Sequence, residues 1–120
     1  MKNKALGAEG EDMAVKFLKK KGLKILERNL RTPFGEIDII AKDGGTVVFI
    51  EVKTRLSDYF GHPAEAVGYR KKKHIERAAL YYLSARRHNA AARFDVISII
   101  MRPGAGEAIE HIKDAFEAAL

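Results

Sequence analysis

Asp38, Glu51 and Lys53 stand in the spacing Asp-x12-Glu-x-Lys, two carboxylates followed by an ammonium group. Two carboxylates brought a few ångströms apart can share one divalent ion, because hard cations take oxygen ligands and keep several of their waters. The stretch that carries two of the three, VVFIEVKTR from Val47 to Arg55, begins as a sheet core and then breaks into Glu51, Lys53 and Arg55. A strand end entering water would read this way, and so would the edge of a catalytic site. A hairpin with one polar face in water would carry the same residues.

Register decides whether the two carboxylates meet. EIDIIAK and TVVFIEVKT flank DGG, Asp43 to Gly45, which signals a hairpin because Asp-Gly accepts the positive φ of a tight turn. A turn of two residues, Asp43 and Gly44, pairs Lys42 with Gly45, Asp38 with Phe49 and Glu36 with Glu51. Asp38, Glu51 and Lys53 then share a face, with Asp38 diagonal to Glu51 at roughly 5 to 8 Å between backbones. A three-residue loop would set Asp38 opposite Ile50 and turn it away from Glu51, since a slip of one residue reverses every side chain.

An independent carboxylate comes from the first helix, which the apolar spacing places from Lys4 to Lys21, with Gly22 ending it in a left-handed conformation. At about 100° per residue Glu11 falls among the directions of Gly7, Ala14, Val15 and Leu18, while Glu9, Lys16 and Lys20 point the other way. A glutamate facing the core is costly unless it is paired, hydrogen-bonded or close to a cation. Three segments therefore each aim a carboxylate inward.

The elements that must position them follow in order. LKILERNLR (Leu23–Arg31) is an uneven strand closed by TPFG, and strands two and three are the hairpin. Arg55 to Gly68 is expected to be a mobile connection. YRKKKHIERAALYYLSARRH, from Tyr69, has helical periodicity, and RFDVISIIM (Arg93–Met101) is an apolar run suited to a strand covered on both faces. The tail from Glu107 to Leu120 fits a short edge strand or a helix. The expected fold is α/β, a mixed sheet flanked by helices in the order α-β-β-β-α-β, with strands three and four parallel through a right-handed crossover.

The 120 residues suit one domain spanning 1–120, and 22 Lys and Arg against 16 Asp and Glu give a net charge of +6, which favours a polyanionic partner. No cysteine is present, which excludes disulfides, a thiolate nucleophile and cysteine-ligated zinc. No uninterrupted apolar stretch offers a signal peptide or membrane span. A soluble cytoplasmic protein with no membrane partner is expected.

The segments GAEGEDMAVKFL, FGEIDIIAKDGGTVVFIEVKTR, GHPAEAVGYRKKKHIERAALYYL and RFDVI resemble the bacterial YraN-like family. That family is similar to the archaeal Holliday-junction resolvases and belongs to the PD-(D/E)XK nuclease superfamily. The resemblance runs from about Gly7 to Ile97 and implies a restriction-endonuclease-like fold. It implies a metal-dependent endonuclease that hydrolyses phosphodiester bonds in DNA, branched or single-stranded forms included. Carried over, the acidic pair falls on Asp38 and Glu51, the lysine on Lys53 and the helix-one glutamate on Glu11. Ile37 stands where the motif has proline, a departure many members share. The ion would be Mg2+ or Mn2+, held by Asp38 and Glu51 with or without the Val52 carbonyl, and Glu11 would hold one of its waters. Neighbouring carboxylates favour charged Lys53, which suits positioning the water and stabilising the transition state better than acting as base. Glu36 reads as a further ligand or a neighbour of one.

Nucleic-acid contacts are expected from Arg55, beyond Lys53, and from Arg70, Lys71, Lys73 and Arg77 on the second helix, where cations near a helix start oppose the macrodipole. A solvated charge run is the competing reading for those on the helix, while Arg55 continues the Lys53 face. Tyr59 and Phe60 read as packing residues, with base stacking as the alternative. His62, His74, His88 and His111 have no metal-ligand spacing, and Asp95 reads as internally hydrogen-bonded. Tyr81, Tyr82 and Leu83 suit core or homodimer packing. GAGEAI, after the fourth strand, has Ile109 where a dinucleotide loop needs its third glycine and too little chain after it. A non-cutting nucleic-acid-binding module is the alternative function, and a protein-interaction domain a third.

Overall fold

The apolar residues of the chain sort onto the two faces of one sheet, and each face is closed by a helix. The computed structural model describes residues 4–56, 68–86, 91–102, 104 and 106–116, with side chains from residue 6 onward. The elements run α1 (Lys4–Lys20), β1 (Lys24–Thr32), β2 (Gly35–Asp43), β3 (Thr46–Arg55), α2 (Tyr69–Ala85), β4 (Ala91–Arg102) and β5 (Gly106–Ile112). The sheet order is β1-β2-β3-β4-β5. β3 and β4 are parallel and the other pairings are antiparallel.

Under α1 lie Ala14, Val15 and Leu18 of the helix with Ile39, Ala41, Val48, Ile50, Ile97 and Ile99 of the sheet. Under α2 lie Ile75, Ala78, Ala79 and Tyr82 with Ile40, Val47, Phe49, Phe94 and Val96. β4 contributes to both clusters, as expected of a strand covered on both faces. Leu18 is fully buried, and a side chain of that size contributes about 1.5–3 kcal/mol through burial.

α1 stops where the sequence says it should. Gly22 takes φ 91°, its N–H donates to the Lys19 carbonyl at 3.0 Å, and the Leu23 N–H donates to the Leu18 carbonyl at 3.0 Å. This pair of bonds satisfies carbonyls that the helix end would leave open, and the buried Leu23 packs in the same cluster as Leu18.

The hairpin differs from expectation. The turn is Gly44-Gly45, with Asp43 paired to Thr46, so the register runs Ile40 to Phe49 and Ile39 to Ile50. The DGG triplet offers two adjacent two-residue turns, and the chain takes the one with glycine at both positions, Gly44 at φ 60°. Because the shift is two residues, alternation is kept. The pairing ends at Ile39 and Ile50, so Asp38 and Glu51 are the next residues on the two strands, where the expectation had Asp38 opposite Phe49.

The tail forms β5, an edge strand antiparallel to β4, so the order gains a fifth strand. Of the expected connection from Arg55 to Gly68, Arg55 belongs to β3, and residues 57–67, with Tyr59, Phe60 and His62, lie outside the described residues, as does His88. No described helix is long and apolar enough to cross a membrane.

Candidate active site

β2 and β3 stop pairing just before the acidic residues. Their ladder ends at Ile39 and Ile50, and the N–H of Val52 donates instead to Oδ2 of Asp38 at 2.9 Å. A side-chain carboxylate thus takes up a backbone donor that the ladder leaves open. Ile37 and Ile40 both pack in the cluster under α2 while Ile39 packs under α1, so the two-residue period of β2 slips at Asp38. On β1, Asn29 takes φ 51°, and Arg28 and Asn29, consecutive residues, both reach Glu11. The strands open a cleft here, lined by Glu11, Asp38, Glu51, Lys53 and Lys71, with Arg55 and Arg70 at its walls.

Glu51 is the buried centre of the cleft. Lys71 Nζ lies 2.5 Å and Lys53 Nζ 3.6 Å from its Oε1. Glu51 is 7% exposed, so both ammonium groups act on a charge that water barely screens. Burial raises the Asp38 carboxyl to about 7, the charge of Glu51 adds to this, and the Val52 N–H and Lys71 work against it. Burial also lowers Lys53, and the nearby Lys71 charge outweighs part of what Glu51 restores. For Lys71 burial pulls downward, but the hydrogen bond and charge of Glu51 prevail and it is raised.

Glu11 lies where helical geometry puts it, buried on the inner side of α1. Its Oε1 accepts from Asn29 Nδ2 at 2.8 Å and from Arg28 Nε at 3.3 Å, and Arg28 also reaches Asp12 at 2.7 Å. Its charge helps raise Asp38, which marks the two as electrostatic neighbours. Among the described residues no three His, Asp or Glu side chains stand close enough to hold one ion directly. Asp38 and Glu51 are therefore the two side-chain donors on offer, with Glu11 bound to β1 beside them.

The donor set nonetheless suits a hard dication. Both donors are oxygen, Glu51 already draws two ammonium groups, and the Asp38 carboxyl is raised by burial and then by the nearby charge of Glu51. Mg2+ or Mn2+ would be held by Asp38 and Glu51, with the rest of its shell supplied by water and main-chain oxygen.

The basic residues divide. Arg70 and Arg77 are exposed on α2, Lys73 lies 5.6 Å over the Tyr69 ring with its Nζ 3.5 Å from Glu76, and Arg55 lines the cleft. Lys71, expected on phosphates, instead turns inward onto Glu51. The signal was present: Lys71, Ile75, Ala78 and Tyr82 are spaced i, i+4, i+7, i+11 and so share the direction of the core. Glu36 lines the mouth of the cleft and lies 3.7 Å from Arg31. Thr54 packs against Gly10 of α1. Asp95 is internally bonded as expected, to Arg93, to His111 Nε2 at 2.7 Å and to the Asp114 N–H.

Residues 10–99 match the model of the uncharacterised protein family UPF0102. The chain belongs to that family. It is 54% identical over 111 residues to the UPF0102 protein THEYE_A1950 of Thermodesulfovibrio yellowstonii, covering 92% of this chain and 95% of that one. It is 52% identical over 118 residues to a UPF0102 protein of Geobacter metallireducens, covering 98% and 96%. A UPF0102 protein of Rhodococcus opacus is 45% identical over 115 residues, covering 95% and 98%. Matches of this length span α1 to β4, every element that lines the cleft.

Proposed function

We propose that this UPF0102 protein is a metal-dependent endonuclease of the restriction-endonuclease-like type, cutting phosphodiester bonds in DNA. The observation that carries the reading is the meeting of two carboxylates where β2 leaves β3: Asp38 accepts from the N–H of Val52, next to Glu51, and Lys53 and Lys71 both lie on the Glu51 carboxylate. The alternation of strand and helix brings donor oxygens and ammonium groups to one cleft that opens to water, as hydrolysis of a phosphodiester requires. The resemblance of the motif residues to the PD-(D/E)XK nucleases supports the same chemistry.

When bound, the divalent ion makes its water more acidic and neutralises charge on the phosphoryl oxygens. Asp38 and Glu51 would hold that ion. Lys53, at the rim of the carboxylate pair, holds the attacking water in line and faces the charge that grows on the phosphoryl group. Glu11, held by Arg28 and Asn29, would accept a hydrogen bond from a water of the ion. Arg55 and Arg70 on the cleft walls meet the phosphates on either side of the scissile bond.

The test is incubation of the pure protein with end-labelled linear, nicked and four-way DNA in Mg2+ or Mn2+. The expected result is cleavage that EDTA stops and Asp38→Ala removes. Identical traces for wild type and Asp38→Ala on every substrate would end the catalytic reading. A non-cutting binding module is the second reading, favoured by the net charge of +6. It predicts salt-sensitive DNA binding that survives loss of the acidic residues.

A further inference from the structure

A band of aromatic and basic side chains leads away from the cleft along the outer face of α2. Tyr69, at the cleft wall, is 77% exposed, and at the far end Tyr81 (46%) meets Phe34 of the β1–β2 turn (43%), ring centroids 6.2 Å apart. The turn is fixed in place: the Thr32 hydroxyl donates to the Gly35 carbonyl at 2.8 Å and accepts from the Phe34 N–H at 3.1 Å. Gly35 lies against His74 of α2, so turn and helix form one surface. Between the aromatics stand Arg70 and Arg77, both exposed, and Lys73 over the Tyr69 ring. Arg70, Arg77 and Tyr81 lie within about 40° of one another around the helix, and Tyr69 to Tyr81 spans about 18 Å. The only acidic residue of α2, Glu76, is buried, so the band presents no carboxylate of its own helix.

Exposed rings on a soluble chain are costly to hydrate and are rarely gathered without use. Rings alternating with cations at this spacing suit a strand whose bases are unpaired, since a base can stack on a ring only when its own partner is gone, while cations follow the phosphates. A paired duplex offers phosphates but no free base faces. We infer that this band binds single-stranded nucleic acid and delivers it to the cleft at Tyr69, so that the preferred substrate carries an unpaired strand next to the scissile phosphate. The inference rests on the nuclease reading for what happens in the cleft, but the binding band stands apart from it. Charge complementarity selects the occupant, because Arg70, Lys73 and Arg77 would repel a second copy of the same face.

The experiment is fluorescence anisotropy in EDTA with a labelled oligothymidylate and a labelled duplex of equal length. Wild type is compared with Phe34→Ala/Tyr69→Ala, both side chains being exposed, and thermal melts check that the variant is folded. The expected result is a loss of about tenfold or more in single-strand affinity, with duplex affinity changed less than about twofold. Equal loss on both probes, or none on the single strand, overturns the inference. So does a sedimentation profile in which the variant dissociates a wild-type dimer while nucleic-acid binding is untouched, since the rings would then be a contact between copies. Because no metal is present, a protein that binds the single strand through these rings yet never cuts would retain this inference and lose the nuclease reading. A protein that cuts a substrate carrying an unpaired strand equally well before and after the double substitution would do the reverse.

Discussion

Lys71 at the start of α2 lies 2.5 Å from the Glu51 carboxylate on β3, and Lys53 lies 3.6 Å from the same oxygen. In the absence of an ion these two ammonium groups balance a buried charge. Lys71, nearest and half-buried, is thus a competitor for any dication that Glu51 binds. Lys71→Met is expected to tighten Mn2+ binding by about tenfold, equivalent to ~1.4 kcal/mol. It should also lower the stability of the metal-free protein by about 1–3 kcal/mol, because Glu51 loses a partner. Calorimetric titration and urea melts of the same preparation read both. Weaker binding would make Lys71 a support for the ion site in place of a competitor.

Asp38 gives the metal-free protein a pH dependence of unusual sign. Its carboxyl is raised from 3.8 to about 7 by burial and by Glu51. A raised value means that its contribution to stability is whole below its ordinary pKa and is lost as pH rises through about 7. Asp38→Asn should therefore be more stable than wild type at about pH 8, by roughly 1–3 kcal/mol, and nearly equal to it at about pH 4. Thermal melts in EDTA across this range check it, and a difference that does not change with pH would contradict the cause given.

Asp95 titrates the other way. Burial would raise it, but hydrogen bonds from His111 and Arg93 and the Asp114 N–H outweigh burial and hold it below the usual carboxylate range. Its contribution is present above the ordinary carboxylate pKa and is lost as pH falls through the lowered one. Asp95→Ala is expected to cost about 3–5 kcal/mol at neutral pH, because Arg93 and His111 lose a buried partner. The gap to wild type should narrow in acid. Urea melts at neutral pH and near pH 3 read the change.

Gly10 on α1 packs directly against Thr54 of β3. A Cβ added there would stand 2.0 Å from Oγ1 of Thr54, next to Lys53 on β3. Gly10→Ala should destabilise by about 1–3 kcal/mol through overpacking, more than the helix propensity of alanine returns. Removing the obstacle with Thr54→Ala should restore most of it in a double-mutant cycle. Additive losses would place the strain elsewhere.

The sequence carried much of this arrangement because its signals were local. Gly22 ends α1 since only glycine takes that φ without strain, and the apolar spacing around Glu11 could put it nowhere but inward. The hairpin was legible at DGG, but the sequence points to Asp43-Gly44 as its turn, with a three-residue loop as the alternative; the turn is Gly44-Gly45, a shift of two residues that keeps the faces of the first reading. What was hidden depends on how elements meet. The slip in alternation at Asp38 follows from Asn29 and from the parting of β2 and β3, and neither leaves a periodic trace. In the run Arg70-Lys71-Lys72-Lys73 each residue points about 100° from the last, so one must face the sheet; composition alone treats the four as equivalent. β5 was ambiguous because its mostly exposed residues lack the buried face that would distinguish a strand from a helix.

The claim that Asp38 and Glu51 share one divalent ion is tested most directly by titrating Mn2+ into wild type, Asp38→Asn and Glu51→Gln near pH 7.5, read by the loss of free-ion signal in electron paramagnetic resonance. The prediction is one site per chain in wild type, weakened by about a hundredfold or more in each single variant, a loss of at least ~2.7 kcal/mol. Equal binding by all three proteins, or no binding by wild type, would contradict it.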